Sequence, residues 1–223
     1  MEHHKANRLS DIILGGQDGL VNTLGVILGV AAASQETRIV LAAGLAATFA
    51  ESISMAAVAY TSKIAERDYY KSELEREKRE MKEVPAMEKD EIREIYRRKG
   101  FKGRLLEEIT EVITSDDKVW LETMMQEELN LQPVLNKRVI AATFFVGISA
   151  LIGAFIPLVP FIFLPIDYGI YVSIFFSALA LFIVGAVKAK MTIGNWGKSG
   201  IELMFIGIIS ALIGYYVGLL FKV

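Results

Sequence analysis

The chain has 223 residues, of which 53% are hydrophobic and 22% are charged, and its net charge is only −2. It contains no cysteine, which excludes disulfide bonds and thiolate metal sites, and its only two histidines, His3 and His4, are adjacent. A soluble helical domain alternates apolar and charged residues, whereas here the charge is concentrated in one block between long apolar segments. This segregation is typical of an integral membrane protein.

Five apolar segments follow one another along the chain, and each is long enough to cross the roughly 30 Å hydrocarbon core of a bilayer as a helix. The first is too long and too rich in glycine to be a cleavable signal peptide, so we expect it to be retained as a span. The predicted spans are 12–33, 39–62, a third that begins near Val139 and ends among Pro157, Pro160 and Pro165, then 168–187 and 201–221.

The distribution of lysine and arginine predicts the orientation, because these residues are enriched in cytoplasmic loops. Twenty-two of the 24 basic residues lie in 1–11, 63–138 and 188–200, and only Arg38 and Lys222 lie elsewhere. The N-terminus and the charged block are therefore predicted to be cytoplasmic, and the C-terminus is predicted to lie on the other side.

The predicted fold class is an all-α integral membrane protein with five transmembrane helices and a cytoplasmic helical domain. Residues 1–62 carry the first two spans, 63–137 form the cytoplasmic domain, and 138–223 carry the last three spans. Proline, glycine and capping residues predict that the second span extends as helix to Pro85, followed by helices at 86–98, 104–113 and 117–131, the last N-capped within Ser115-Asp116-Asp117. With sixteen basic and nineteen acidic residues, the domain is not expected to bind nucleic acid.

Two carboxylates lie inside predicted spans, Asp18 in the first and Glu51 in the second. An ionised carboxylate in the bilayer costs at least about 2.5–3.5 kcal/mol, so each is expected to face the bundle interior, a water path or a cation. Asn22 follows Asp18 by one helical turn and Met55 follows Glu51 by one turn, which defines a candidate transport path. Oxygen ligands with a thioether suit Fe²⁺ better than Mg²⁺ or Ca²⁺. The alternative is that these carboxylates lie near the interface and act as caps.

The cytoplasmic block carries a second set of candidate metal ligands. Two pairs of glutamates are spaced i, i+3, which points both carboxylates of a pair the same way, as in carboxylate metal sites built on helical bundles. The candidates are Glu77, Glu80, Glu88 and Glu91, joined by Met124, Met125 and Glu128. On spacing alone, the glutamates also fit a solvated helix face and the methionines fit core packing.

Small residues on the first two spans favour close helix packing. Gly25 and Gly29 form a G-x-x-x-G pair on the first span, and Gly44 and Ala47 provide a smooth surface on the second. This pattern leaves open whether the packing occurs within one chain or between two chains.

These motifs together give the chain a resemblance to the vacuolar iron transporter family. The likeness rests on Gly16-Gln17-Asp18-Gly19-Leu20-Val21, Ser54-Met55-Ala56, Glu73-Leu74-Glu75-Arg76-Glu77 and Met124-Met125-x-x-Glu128. It covers nearly the whole chain, with the same order of two spans, a cytoplasmic helical domain and three spans.

The resemblance implies a homodimeric exporter that moves Fe²⁺, and often Mn²⁺, out of the cytoplasm in exchange for protons. It implies that Asp18 and Met55 line the membrane path and that the glutamates and methionines of the cytoplasmic domain bind metal. Many members follow the Ser-Met motif with Gly-Glu-Tyr, whereas this chain has Ala57-Val58-Ala59-Tyr60. Either Glu51, one turn earlier, replaces that glutamate or the proton coupling differs.

Three alternatives compete with an Fe²⁺ exporter. The cargo is open to Mn²⁺, Co²⁺ or another divalent ion, because the affinity orders of these ions overlap. A membrane-anchored metal sensor or storage module is the second alternative, although it does not need carboxylates inside the spans. An intramembrane enzyme is the third, and no Ser-Lys or paired-Asp arrangement across the spans supports it. No cofactor is expected beyond the transported or bound ion. The membrane is expected to be a prokaryotic plasma membrane by default, with a vacuolar membrane open.

Overall fold

A computed structural model describes the backbone of residues 2–221 and the side chains of residues 8–221. The side chains of His3, His4 and Lys222 therefore lie outside the described residues. Helices account for most of this range. They are α1 (Glu2–Ser34), α2 (Thr37–Glu83), α3 (Pro85–Arg98), α4 (Gly103–Thr114), α5 (Asp117–Thr123) with a π-helical turn (Met124–Glu128), α6 (Asn136–Phe163), α7 (Ile166–Met191) and α8 (Trp196–Leu220).

Five of these helices are long and apolar enough to cross a membrane, namely α1 from Arg8, α2, α6, α7 and α8. The prediction of an all-helical chain with five spans is confirmed. α6 continues through Pro157 and Pro160 and ends at Phe163. The Ser173 hydroxyl of α7 donates a hydrogen bond of 2.7 Å to the Pro157 carbonyl, which ties the two helices together beside the prolines.

The described chain divides into two compact units, one formed by Met1–Thr61 with Val139–Val223 and the other by Ser62–Arg138. The first unit has an apolar core in which α1 residues such as Ile27 pack against Leu158 of α6 and Ala211 of α8. Gly44 of α2 belongs to the same packing, because an added Cβ would collide with the side chains of Leu158 and Ile27.

Glycines bring α1 and α8 into backbone contact. A Cβ on Gly214 would lie well within 3.0 Å of the Gly25 carbonyl oxygen, and a Cβ on Gly218 would collide in the same way with Gly29. Small residues allow two helix backbones to approach this closely. The G-x-x-x-G pair of the first span is therefore used within the chain, which resolves the alternative that the sequence left open.

This contact predicts a large loss of stability for Gly214→Ala. The new methyl group would meet backbone atoms of α1, which move only if the helices separate, so we expect a cost of about 1–3 kcal/mol. The matched control is Gly197→Ala in the first turn of α8, where the nearest atom to an added Cβ is 3.4 Å away. Thermal unfolding in detergent, followed by size-exclusion chromatography, measures the difference. Equal melting temperatures for the two variants would contradict the close contact.

The second unit contains α3, α4, α5 and the part of α2 from Ser62, packed around Ile92, Ile113, Trp120 and Met124. Asp116 caps α5, since its side chain accepts hydrogen bonds from the backbone N–H groups of Lys118 and Val119.

The predicted helix 117–131 is wrong in its second half. The α-helix ends at Thr123 and is followed by the π-helical turn Met124–Glu128, and Asn130 then adopts a positive φ of 51°. The physical reason is that the wider π turn allows both Met124 and Met125 to be buried, while the left-handed residue terminates the helix before Pro133.

Candidate functional site

Polar side chains from α1 and α2 meet inside the first unit. Asp18 and Asn22 lie one turn apart on α1, and the Glu51 carboxyl of α2 interacts with both of them. Asp18 and Glu51 are half-buried, and Asn22 is exposed. Within residues 8–221, no basic side chain forms an ion pair with either carboxylate. We call Asp18 and Glu51 the membrane carboxylate pair.

Two carboxylates that face each other in a low-dielectric region repel when both are ionised. A cation or a proton relieves the repulsion, so the membrane carboxylate pair has the chemistry of an exchangeable cation site. The described contacts join Asp18, Asn22 and Glu51, whereas half-buried Met55 enters the group only by its spacing of one turn from Glu51. Thr48 on the same helix is fully buried and its hydroxyl donates to the Gly44 carbonyl, which gives it a structural role.

The glycines beside Asp18 position its helix. A Cβ on Gly15 would collide with the backbone of Val146, and a Cβ on Gly19 would collide with the backbone of Ala150. α1 therefore packs directly on the α6 backbone at this level. The glycines accommodate a neighbouring helix, and this close packing fixes the height at which Asp18 faces Glu51.

The second unit gathers the predicted glutamates. Glu77 of α2 and Glu88 of α3 are only 1% and 3% exposed, and the Oε2 atom of each has no hydrogen-bond partner. Buried carboxylate oxygens without partners are costly when they are ionised, so these positions favour a proton or a cation. We call Glu77, Glu80, Glu88, Glu91 and Glu128 the glutamate cluster.

The members of the glutamate cluster act on one another electrostatically. Burial, followed by the negative charges of Glu91 and Glu77, raises the pKa of Glu88 to about 7. Glu128 is exposed as a residue, yet desolvation of its carboxyl and the charges of Glu91 and Glu77 raise its pKa to about 7 as well. The cluster therefore joins α2, α3 and the π-helical turn in one electrostatic environment.

Met124 and Met125 are both buried, and Met124 packs in the core with Ile92 and Trp120. Core packing accounts for the burial of Met124 without a metal. Within residues 8–221, no three carboxylate or histidine side chains converge on one metal position. The candidate ligands are thus neighbours and do not form a closed coordination shell.

Arg76 is a residue of this region that the sequence reasoning missed. Its guanidinium forms ion pairs with Glu73 and Glu77 at 3.0 Å each and with Glu80 at 3.5 Å. The spacing of Arg76 from Glu73, three residues before it, and from Glu80, four residues after it, is the signal that predicts pairing on a helix, whereas spacing does not predict the pair with the adjacent Glu77. The arginine thus supplies positive charge to three of these carboxylates.

An apolar groove of about 450 Å³ lies between α2 and α6 in the first unit. Ser52, Ile53 and Phe144 are among the residues that line it, and none of its lining residues is charged. The groove is therefore distinct from the membrane carboxylate pair, and no carboxylate lines it.

Comparison with known proteins gives a consistent match along the chain. A model of the VIT family matches residues 9–219. The chain is 32% identical over 219 residues to "Vacuolar iron transporter 1" of Arabidopsis thaliana, covering 95% of this chain and 87% of the relative. It is 32% identical over 202 residues to the protein of that name in Eucalyptus grandis, covering 90% and 81% of the two chains. Against "Vacuolar iron transporter" of Plasmodium falciparum it is 27% identical over 238 residues, covering 99% and 85%.

Proposed function

Because this chain belongs to the VIT family, we propose that it transports Fe²⁺ out of the cytoplasm in exchange for protons, with Mn²⁺ as a second cargo. The resemblance predicted from the sequence motifs is confirmed by the family match. Membership of a family of iron transporters implies a multi-pass membrane protein with lipid and a metal ion as its partners, and a transporter in place of an enzyme.

The membrane carboxylate pair is the observation that supports the proposal most strongly. Asp18 and Glu51 face each other on spanning helices and no described basic residue neutralises them. Carboxylates bind metal only when deprotonated, so metal and protons compete for the same oxygens. Alternation between the two ions is the chemical basis that a proton-coupled exchange requires.

The proposed sequence of events assigns a role to each group of residues. The glutamate cluster, with Met124 and Met125, attracts and binds Fe²⁺ from the cytoplasm. Asp18 and Met55 then bind the ion within the membrane, where the thioether favours Fe²⁺ over Mg²⁺ or Ca²⁺. Protons returning to Asp18 or Glu51 release the metal and reset the site.

Glu51 takes the role of the glutamate in the Gly-Glu-Tyr stretch that follows the Ser-Met motif in many family members. Its contact with Asp18 supports this assignment, because a proton acceptor beside the metal ligand competes directly for the cation. Asn22, one turn from Asp18, supplies a neutral oxygen beside the pair. We further propose that two copies of the chain form the transporter.

The proposed orientation places the N-terminus and residues 63–137 in the cytoplasm, as the distribution of basic residues predicts. The predicted prokaryotic plasma membrane has no support among the relatives, which are named vacuolar and come from plants and Plasmodium. A vacuolar-type membrane is the location that their names favour.

Metal flux into proteoliposomes tests the proposal. With Fe²⁺ kept reduced and an imposed pH gradient, we expect metal uptake that depends on the gradient and proton movement in the opposite direction, read by a luminal pH dye. Protein-free liposomes and liposomes with a collapsed gradient are the controls. Metal binding without any flux would contradict the transporter and favour a membrane-anchored sensor or storage module.

A further inference from the structure

Arg76 lies among acidic side chains on α2, and its guanidinium contacts three of them. Glu77 is the most buried partner, with 2% of its side chain exposed, and the 3.0 Å pair uses its Oε1 atom. Glu80, the second cluster member in contact, is paired at 3.5 Å through the arginine Nε. Arg76 thus already holds two of the carboxylates proposed to bind metal.

Arg76 is also the only basic side chain within residues 8–221 that forms an ion pair with any member of the glutamate cluster. The Oε2 atoms of Glu77 and Glu88 still lack hydrogen-bond partners. One guanidinium therefore compensates the cluster incompletely. The cluster still carries negative charge that no described basic side chain neutralises, although Arg76 neutralises part of it.

We propose that Arg76 is a resident counter-ion that competes with the divalent cation for Glu77 and Glu80 and so sets the affinity of the glutamate cluster. This inference rests on the proposed function, in which the cluster binds the cargo before transport. It makes Arg76 an affinity-determining residue that does not itself touch the metal.

The geometry suits a cation that can be displaced. The Arg76 side chain is 42% exposed, and its Nε is buried without a hydrogen-bond partner, so moving the guanidinium into water gives that atom a partner, whereas Glu77 remains buried. A divalent ion brings twice the charge of the guanidinium to the same oxygens and interacts with them more strongly. Release of the ion is assisted in turn, because the arginine returns to carboxylates that would otherwise stay unpaired.

A transporter benefits from this competition, since an ion must bind strongly enough to enter and weakly enough to leave. Five carboxylates without an internal cation would hold a divalent ion too tightly for efficient transfer. The expectation is therefore that removal of the Arg76 charge strengthens metal binding, which is the opposite of what loss of a ligand does.

Calorimetric titration of Mn²⁺ into the full-length protein in lipid nanodiscs at pH 7.5 tests the inference. The component of Mn²⁺ binding that Glu77→Gln removes is the binding assigned to the glutamate cluster. In this component, we expect Arg76→Gln to bind Mn²⁺ about tenfold more tightly than the parent protein does. Arg76→Lys keeps the positive charge but loses the planar guanidinium, so the Mn²⁺ affinity of this variant should lie between those of the parent protein and Arg76→Gln. Arg79→Gln is the matched control, because Arg79 is exposed on the same helix and forms no ion pair with the cluster in the described structure.

Thermal unfolding provides a second readout that separates a counter-ion from a merely structural residue. For Arg76→Gln we expect a lower melting temperature without metal and a larger increase on addition of Mn²⁺ than in the parent protein. Equal or weaker Mn²⁺ binding by Arg76→Gln would overturn the inference, provided that Glu77→Gln still abolishes that binding. Absence of any Glu77-dependent binding in the parent would instead overturn both the inference and the proposed metal-binding role of the cluster. Should Arg76→Gln fail to fold, Arg76→Lys and Arg76→Met carry the same test.

Discussion

Replacement of Asp18 by alanine is expected to abolish metal flux while leaving the protein folded. Asp18 is half-buried and faces Glu51 across α1 and α2, so the substitution removes one of the two carboxylates that we propose bind the cation within the membrane. Loss of an outer-shell partner of a metal ligand typically costs about 10–100-fold, and loss of a direct ligand should exceed that. Initial rates of Fe²⁺ or Mn²⁺ uptake into proteoliposomes measure the effect.

The fold should survive because the alanine leaves the close packing of α1 on α6 and α8 unchanged and removes repulsion with Glu51. Asp167→Ala is the matched control, since this aspartate is exposed in the first turn of α7 and lies outside the proposed path. Both variants should elute as single species with melting temperatures close to that of the parent. Undiminished flux in Asp18→Ala would refute the role of the membrane carboxylate pair.

The spans were predictable because each is a long apolar segment, and in a membrane such a segment satisfies its backbone hydrogen bonds by forming a helix. The Asp116 cap was predictable for a similar reason, as it depends only on residues next to it in sequence. The contact between Asp18 and Glu51 was not, since it depends on how α1 and α2 pack. Each residue alone indicated a candidate functional position, but the pairing came from the structure.

Two features of the second unit also escaped the sequence. The π-helical turn that buries Met124 and Met125 has no local sequence signal, because it is a response to packing in the core. From the sequence, Arg76 is one of many charges on a solvated helix, and its proposed role as a counter-ion depends on the burial of its partner Glu77. The charge pattern of a helix shows which ion pairs can form, whereas burial determines which of these pairs are strong.

Metal binding by the glutamate cluster is expected to weaken steeply as the pH falls from 8 to 6. Glu88 and Glu128 have pKa values of about 7, so both gain protons within this interval, whereas an ordinary glutamate remains ionised. Because a bound metal must displace these protons, each carboxyl lowers the metal affinity by up to about tenfold for every pH unit below its pKa. Calorimetric Mn²⁺ titrations at several pH values measure this slope, and buffers of different ionisation enthalpy count the protons released.

Glu88→Gln should reduce the slope by about one proton, and Glu111→Gln, exposed on α4, should leave it unchanged. A flat affinity between pH 8 and 6 in the parent protein would contradict the raised pKa values.

The metal-free domain should respond to pH in the opposite direction. Since the folded-state pKa of Glu88 lies above its ordinary value, folding favours the protonated form, and this stabilisation is lost as the pH rises toward and through 7. Acid should therefore raise the melting temperature of the second unit in the metal-free, full-length protein while it weakens metal binding. If the melting temperature rises while the metal affinity falls as the pH is lowered, acid unfolding is excluded as the cause of the weaker binding. Competition between protons and metal for the same carboxylates would then account for the loss of affinity. In the proposed function, a unit with this property would bind the metal ion near neutral pH and release it where protons become more abundant.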